Sequence, residues 1–152
     1  MCRLAGVSKD PAEVLQSGAG REKFEQMLGA QGGRLQDGLP VAANVVPIEA
    51  RAEGYVESID ALEVALVALE LGAGRLRKED KVDPSAGLVI QLQVGDRVSA
   101  DDPLVWVNAR TRELAEKVAP RLRAAWKLSP HEVNRPPHVL ARVDRDGVTK
   151  AR

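Results

Sequence analysis

Residues 69–107, LELGAGRLRKEDKVDPSAGLVIQLQVGDRVSADDPLVWV, decide how the rest of the chain is read. The stretch leaves an apolar helix through Gly72-Ala73-Gly74, crosses a charged loop and enters two short strands joined at Val94-Gly95-Asp96. Leu88, Ile90, Leu92 and Val94 point one way while Val89, Gln91 and Gln93 point the other, the period-2 pattern of a half-buried strand. Gly95-Asp96 turns the chain, because glycine supplies the positive φ that a tight hairpin needs. Asp101-Asp102-Pro103 makes a second turn, and Leu104 to Val107 returns as a strand. The stretch describes a scaffold and holds no catalytic constellation.

Working outward, Asp60 opens the preceding helix with Glu63 three residues on, a capping-box-like start. Leu62, Val64, Leu66, Val67, Leu69 and Leu71 surround its axis, leaving only Glu63 and Glu70 charged. A helix apolar on nearly all sides has to be covered on nearly all sides. It is therefore expected at the centre of the core, against strands at 54–59, 88–94 and 104–107. Downstream, Asn108 to Lys127 reads as an amphipathic helix with Leu114, Val118, Leu122, Ala125 and Trp126 on its apolar face. Pro120 inside that pattern predicts a kink or a break. Pro130, Pro136 and Pro137 mark an extended connector, and Val139, Leu140 and Val143 suggest a last edge strand before Asp146-Gly147.

Towards the N-terminus, Asp10, Pro11 and Glu13 give a helix start, cut short by Gly18 and Gly20. A second helix runs from about Arg21 to Gln31, with Phe24, Met27 and Leu28 on one stripe, and Gly32-Gly33 ends it. Packing explains that stripe better than a ligand site does. Residues 34–53, with Gly38, Pro40 and Pro47, read as a linker with one extended segment as a possible edge strand. The domain reading is thus a helical segment over 1–33, a linker over 34–53 and an α+β domain over 54–152.

Of the 152 residues, 44% are hydrophobic and 29% charged, ordinary for a globular protein, while aromatics make up only 3%, so the core must be aliphatic. Net charge is zero but unevenly spread. Residues 1–110 hold 12 Lys/Arg against 17 Asp/Glu, and residues 111–152 hold 10 against 5. A basic tail admits nucleic acid as a partner, yet acids are interspersed and aromatic stacking partners are absent. A solvated helix face lying against an acidic body is the better reading. The single Cys2 allows neither an intrachain disulfide nor a thiolate metal site, which fits a reducing, cytoplasmic setting. Met1 to Val7 has no basic n-region or long apolar core, so neither a signal peptide nor a membrane span is expected.

Gly72-Ala73-Gly74 follows a helix and precedes a loop, the reverse of a phosphate cradle, and reads as a helix C-cap. Arg75, Arg77, Lys78 and Lys81 give the loop four cations. Asp80-Lys81-Val82 resembles the Asp-Lys-Ala of lipoyl carriers, and the β stretch from Ala86 to Val107 resembles half of such a domain. The residues before Lys81 are helical and then charged, so the second half of a carrier is missing. The shared pattern supports a hammerhead or barrel-sandwich-like sheet. His131 and His138 lie seven apart in a proline-rich stretch with no cysteine nearby, and read as surface histidines. No catalytic, cofactor or metal-ligating residue is assigned.

A family resemblance rests on Glu70-Leu71-Gly72-Ala73-Gly74-Arg75, Lys78-Glu79-Asp80, Val82-Asp83-Pro84, Ala86-Gly87 and Val94-Gly95-Asp96-Arg97-Val98. Gly54-Tyr55-Val56 with Ile59-Asp60-Ala61, and Lys23-Phe24 with Met27 and Ala30-Gln31-Gly32-Gly33, extend it. Together these resemble the C-terminal domain of thymidine phosphorylase and pyrimidine-nucleoside phosphorylase. The resemblance covers the back third of such an enzyme, with Met1 to Gly6 falling inside its large domain. It implies reversible phosphorolysis of pyrimidine deoxynucleosides to base and deoxyribose 1-phosphate in the complete enzyme, a homodimer, and no cofactor. The family's Ser-Gly-Arg-Gly and Gly-Gly-Thr-x-Asp segments do not occur in this sequence, so no catalytic residue carries over and the chain is expected to be inactive alone. Its expected partner is then the remainder of the phosphorylase, and residues 1–33 are expected to expose an apolar patch of Leu4, Val7, Leu15, Phe24, Met27 and Leu28. A non-enzymatic lipoyl-like or biotinyl-like carrier or binding module is the alternative.

Overall fold

The computed structural model describes residues 6–75 and 77–150. The chain divides into two compact units, one ending at Leu39 and one beginning at Pro40. In the first, α1 (Pro11–Gln16) is capped by Asp10, whose Oδ1 accepts from the Ala12 amide at 3.0 Å. Gly18, at φ 81°, turns the chain into α2 (Ala19–Ala30). Gly20 does not end a helix as expected but lies inside α2, where the left-handed Gly18 has already made the turn. Val7, Leu15, Phe24 and Met27 are exposed and Leu28 is half-buried, while Leu4 lies outside the described residues.

The second unit is α+β. It holds β1 (Asn44–Glu49), β2 (Gly54–Ile59), α3 (Ala61–Leu71), β3 (Gly87–Ile90), β4 (Arg97–Val98) and β5 (Pro103–Ala109). Then follow α4 (Arg112–Ala125), β6 (Trp126–Ser129), β7 (Ala141–Asp144) and β8 (Gly147–Lys150). Two antiparallel three-stranded sheets have the orders β1-β5-β3 and β4-β2-β6, and β7-β8 is a separate hairpin. β5 is the central strand of its sheet, so Leu104, Val105, Val107 and Ala109 are all buried. α4 buries Ala115, Val118, Ala119, Leu122 and Ala125, and these two elements supply most of the core. Ile48, Val56, Val98 and Trp126 complete it from the neighbouring strands, and the Trp126 indole N–H donates to the Leu92 carbonyl at 3.2 Å.

Several expectations need correcting. β3 stops at Ile90, and the strand that follows Gly95 joins the other sheet, beside β2. Strands 88–94 and 97–98 are therefore not hairpin partners. The chain crosses between sheets because the Gly95 amide donates to the Val56 carbonyl and the Val56 amide to the Asp96 carbonyl, both at 2.9 Å. β3 pairs instead with β5 across the Asp101-Asp102-Pro103 turn, where the Asp102 carboxylate accepts from the Ser99 amide at 2.7 Å. α4 is shorter than expected, since Asn108 and Ala109 belong to β5, Thr111 caps the helix and Trp126 begins β6. It does not break at Pro120, because buried Val118, Ala119 and Leu122 hold the axis on both sides of the missing N–H. The last strand, expected from Val139, starts at Ala141 and has a partner, β8, that the sequence pattern did not suggest.

The largest departure concerns α3. It is not the centre of the core. It lies against α4 on one flank and faces β3 on the other, buries Val67 and Leu71, and leaves Leu62 70% and Leu66 41% exposed. Its apolar residues are thus only partly covered among the described residues.

Candidate functional site

Three features of the second unit meet around α3. The first is its C-terminal loop. Gly72 takes the left-handed conformation at φ 103°, and the Gly72 and Ala73 amides donate to the Leu69 and Ala68 carbonyls at 3.0 Å, closing the helix end. Gly72-Ala73-Gly74 is thus a C-cap, at the helix end that repels anions. The loop returns through Asp83, whose amide donates to the Gly72 carbonyl at 2.9 Å. Hydrogen bonds from the Ser85 hydroxyl and amide, then the Arg110 guanidinium at 3.5 Å, hold the Asp83 carboxyl below its usual range. Arg75, Arg77, Lys78 and Lys81 stand exposed. Lys81 sits in a helix-to-strand loop, not at the tip of a hairpin as a carrier lysine would.

The second is an ion cluster between α3 and α4. Glu63 and Glu70 are seven residues apart on α3 and so share a face. Arg121 Nε donates to Glu63 at 2.6 Å and its Nη1 donates to Glu70, while Lys117 Nζ reaches Glu70 at 2.8 Å. The Lys117 hydrogen bond is the main reason the Glu70 carboxyl lies below its usual range; desolvation opposes it and Arg121 adds to it. Glu63, foremost, and Glu70 in turn raise the Arg121 guanidinium further above its already high value. Basic residues of the C-terminal part thus lie against acids of the preceding part. Arg135 likewise pairs with Asp96, whereas Arg142 pairs with Asp144 inside the C-terminal part. Sequence reasoning had only the charge asymmetry; the pairing needed α3 and α4 side by side.

The third is a groove of about 500 Å³ on the other flank of α3, lined by Ile59, Val64, Ala65, Ala68, Leu88 and Ile90. It is almost wholly apolar. Because both charged residues of α3 turn to α4, nothing charged from this helix enters it. A further recess, with Glu53, Tyr55, Arg97 and Ser99 at its rim, is polar and open. His131 and His138 are exposed, and among the described residues no three of His, Cys, Asp or Glu gather as a metal site. Among the described residues no helix is long and apolar enough to cross a membrane.

These elements place the chain among known proteins. Residues 55–129, from β2 to the end of β6, match the family described as Pyrimidine nucleoside phosphorylase C-terminal domain. The thymidine phosphorylase of Mycobacterium tuberculosis is 34% identical over 136 residues, covering 88% of this chain and 32% of that protein. A thymidine phosphorylase of Burkholderia cenocepacia is 37% identical over 138 residues, 87% of this chain and 31% of the relative. That of Burkholderia lata is 38% identical over 121 residues, 76% and 28% respectively. The chain spans about a third of the length of the curated relatives it matches. With strands β2 to β6, the α3–α4 pair and the capped loop inside the matched stretch, the chain belongs, through residues 55–129, to the pyrimidine nucleoside phosphorylase C-terminal domain family.

Proposed function

We propose that the chain serves as the C-terminal portion of a pyrimidine-nucleoside phosphorylase. In the complete enzyme phosphate attacks C1′ of a pyrimidine deoxynucleoside, the glycosidic bond breaks, and the base leaves as deoxyribose 1-phosphate forms. The observation that carries this reading is the alignment with thymidine phosphorylases over 88% of the chain. Among the described residues, the core of this domain is apolar and buries no charged residue. Its role is to brace the portion that grips phosphate and nucleoside, in a homodimeric, cytoplasmic enzyme, with the Gly72–Asp83 loop turned to the cleft. The chain alone does not turn over.

Two assays test this. Thymidine and phosphate mixed with the isolated chain release no thymine; turnover would show an active site within these 152 residues. Adding the chain to the M. tuberculosis relative, shortened by the stretch that aligns with it, restores thymine release. No restoration at saturating chain would refute the bracing role. A mass increase at Lys81 in cells would favour the carrier reading instead.

A further inference from the structure

We infer that the apolar α3–β3 face seats the portion of a pyrimidine-nucleoside phosphorylase that lies outside the aligned third, an inference that rests on the functional reading above. Ala61, Leu62, Ala65 and Leu66 of α3 are exposed, and across from them β3 leaves Ile90 44% exposed, on the face of the strand that Leu88 shares. The face is concave, since the groove between Ala65, Ala68, Leu88 and Ile90 runs through it. It is uncharged from α3, because Arg121 and Lys117 hold Glu63 and Glu70 towards α4. Among the described residues β3 is also an edge strand, paired with β5 alone.

An apolar patch of this kind on one side of an otherwise well-packed domain marks a contact surface. The other exposed aliphatics of this unit include Val41, Val45 and Val82, and Val139, Leu140, Val143 and Val148 at and before the β7–β8 hairpin, where Val143 and Val148 form a cross-strand pair; that hairpin lies outside the stretch matched by the family, whereas α3 and β3 lie inside it. The occupant follows from length. The relatives hold about twice as much chain again outside the aligned part, and that portion has to meet this domain somewhere. The chemistry asks for an aliphatic ridge without charge, a helix side or a loop of apolar residues, to fill the groove. Glu63 and Glu70, already neutralised, neither attract nor repel it.

The test pairs Leu62→Asp with Leu66→Asp in the full chain. Leu62 is 70% and Leu66 41% exposed, so the double variant should keep the circular dichroism of the unaltered chain with a lowered urea midpoint, and binding is compared where both are folded. Binding to the shortened M. tuberculosis relative is then measured by titration calorimetry. The unaltered chain and a Val143→Asp control bind alike, and the double substitution weakens binding about a hundredfold, as expected for two central apolar anchors. Binding by the double variant within about twofold of the unaltered chain would place the interface elsewhere and leave the phosphorylase reading standing. Failure of the unaltered chain to bind would remove that reading, and the inference with it. A self-association of the chain that the double variant abolishes would assign the face to a second copy and overturn the inference.

Discussion

Replacing Leu122 and Leu62 by alanine, one at a time, separates the core from its surroundings. Both are leucines in helices, so differences in intrinsic helix preference cancel. Leu122 is 0% exposed, at the contact of α4 with the sheets. Its truncation loses the transfer free energy of the side chain and leaves a cavity, about 3–4 kcal/mol in comparable cores. Leu62 has 70% of its surface in water. Its truncation forfeits only about a third of the roughly 2 kcal/mol that a buried leucine gains, near 0.6 kcal/mol. Urea unfolding followed by the fluorescence of Trp106 and Trp126, both in the second unit, reads the difference. The slope with denaturant should stay unchanged, so that the midpoint alone reports stability. Equal costs at the two positions would refute the reasoning, because they would return α3 to the centre of the core.

Other substitutions probe separate links. A Cβ on Gly54 would stand 2.6 Å from the Ser129 carbonyl oxygen at a φ of 155°, so Gly54→Ala should force β2 from β6 and cost about 2 kcal/mol or more, read by urea unfolding. Trp126→Phe removes the indole donor from the Leu92 carbonyl and leaves a small cavity at a buried position, for about 2 kcal/mol by the same assay, followed by circular dichroism. The Glu70 carboxyl titrates lower in the folded chain than in the unfolded one, whose ordinary value is 4.5. The unfolded state therefore binds more protons between those two values, and this contribution is complete above the unfolded value and lost as pH falls through the folded one. Glu70→Gln should consequently flatten the acid loss of thermal stability below about pH 4.5 while lowering stability at pH 7. An unchanged acid limb would disconnect Glu70 from Lys117 and Arg121.

What the sequence made legible was local. Asp60 and Gly72 bound α3 because a cap and a left-handed glycine act within one turn, and Gly54–Ile59 reads as a strand from its own residues. Partner choice was not legible. Nothing in residues 88–98 states that β3 and β4 enter different sheets, since the deciding hydrogen bonds go to Val56, far off in sequence. Pro120 does not break α4, where buried neighbours on either side keep the helix continuous. The α3 pattern carried more than it first yielded. All-round apolarity implies a helix needing cover on every side, while the structure covers it in part and turns Leu62 and Leu66 outward. The α3–α4 ion cluster was visible only as a charge imbalance, because Glu63 and Glu70 meet Arg121 and Lys117 across more than forty residues of chain.

The most direct measurement of the central claim is side-chain footprinting of Leu62, Leu66 and Ile90 by carbene labelling, with and without the shortened M. tuberculosis relative. All three should label strongly in the isolated chain and become protected on mixing, with Val143 and Val148 labelled throughout. Protection of the three residues in the isolated chain, or equal labelling before and after mixing, would contradict it.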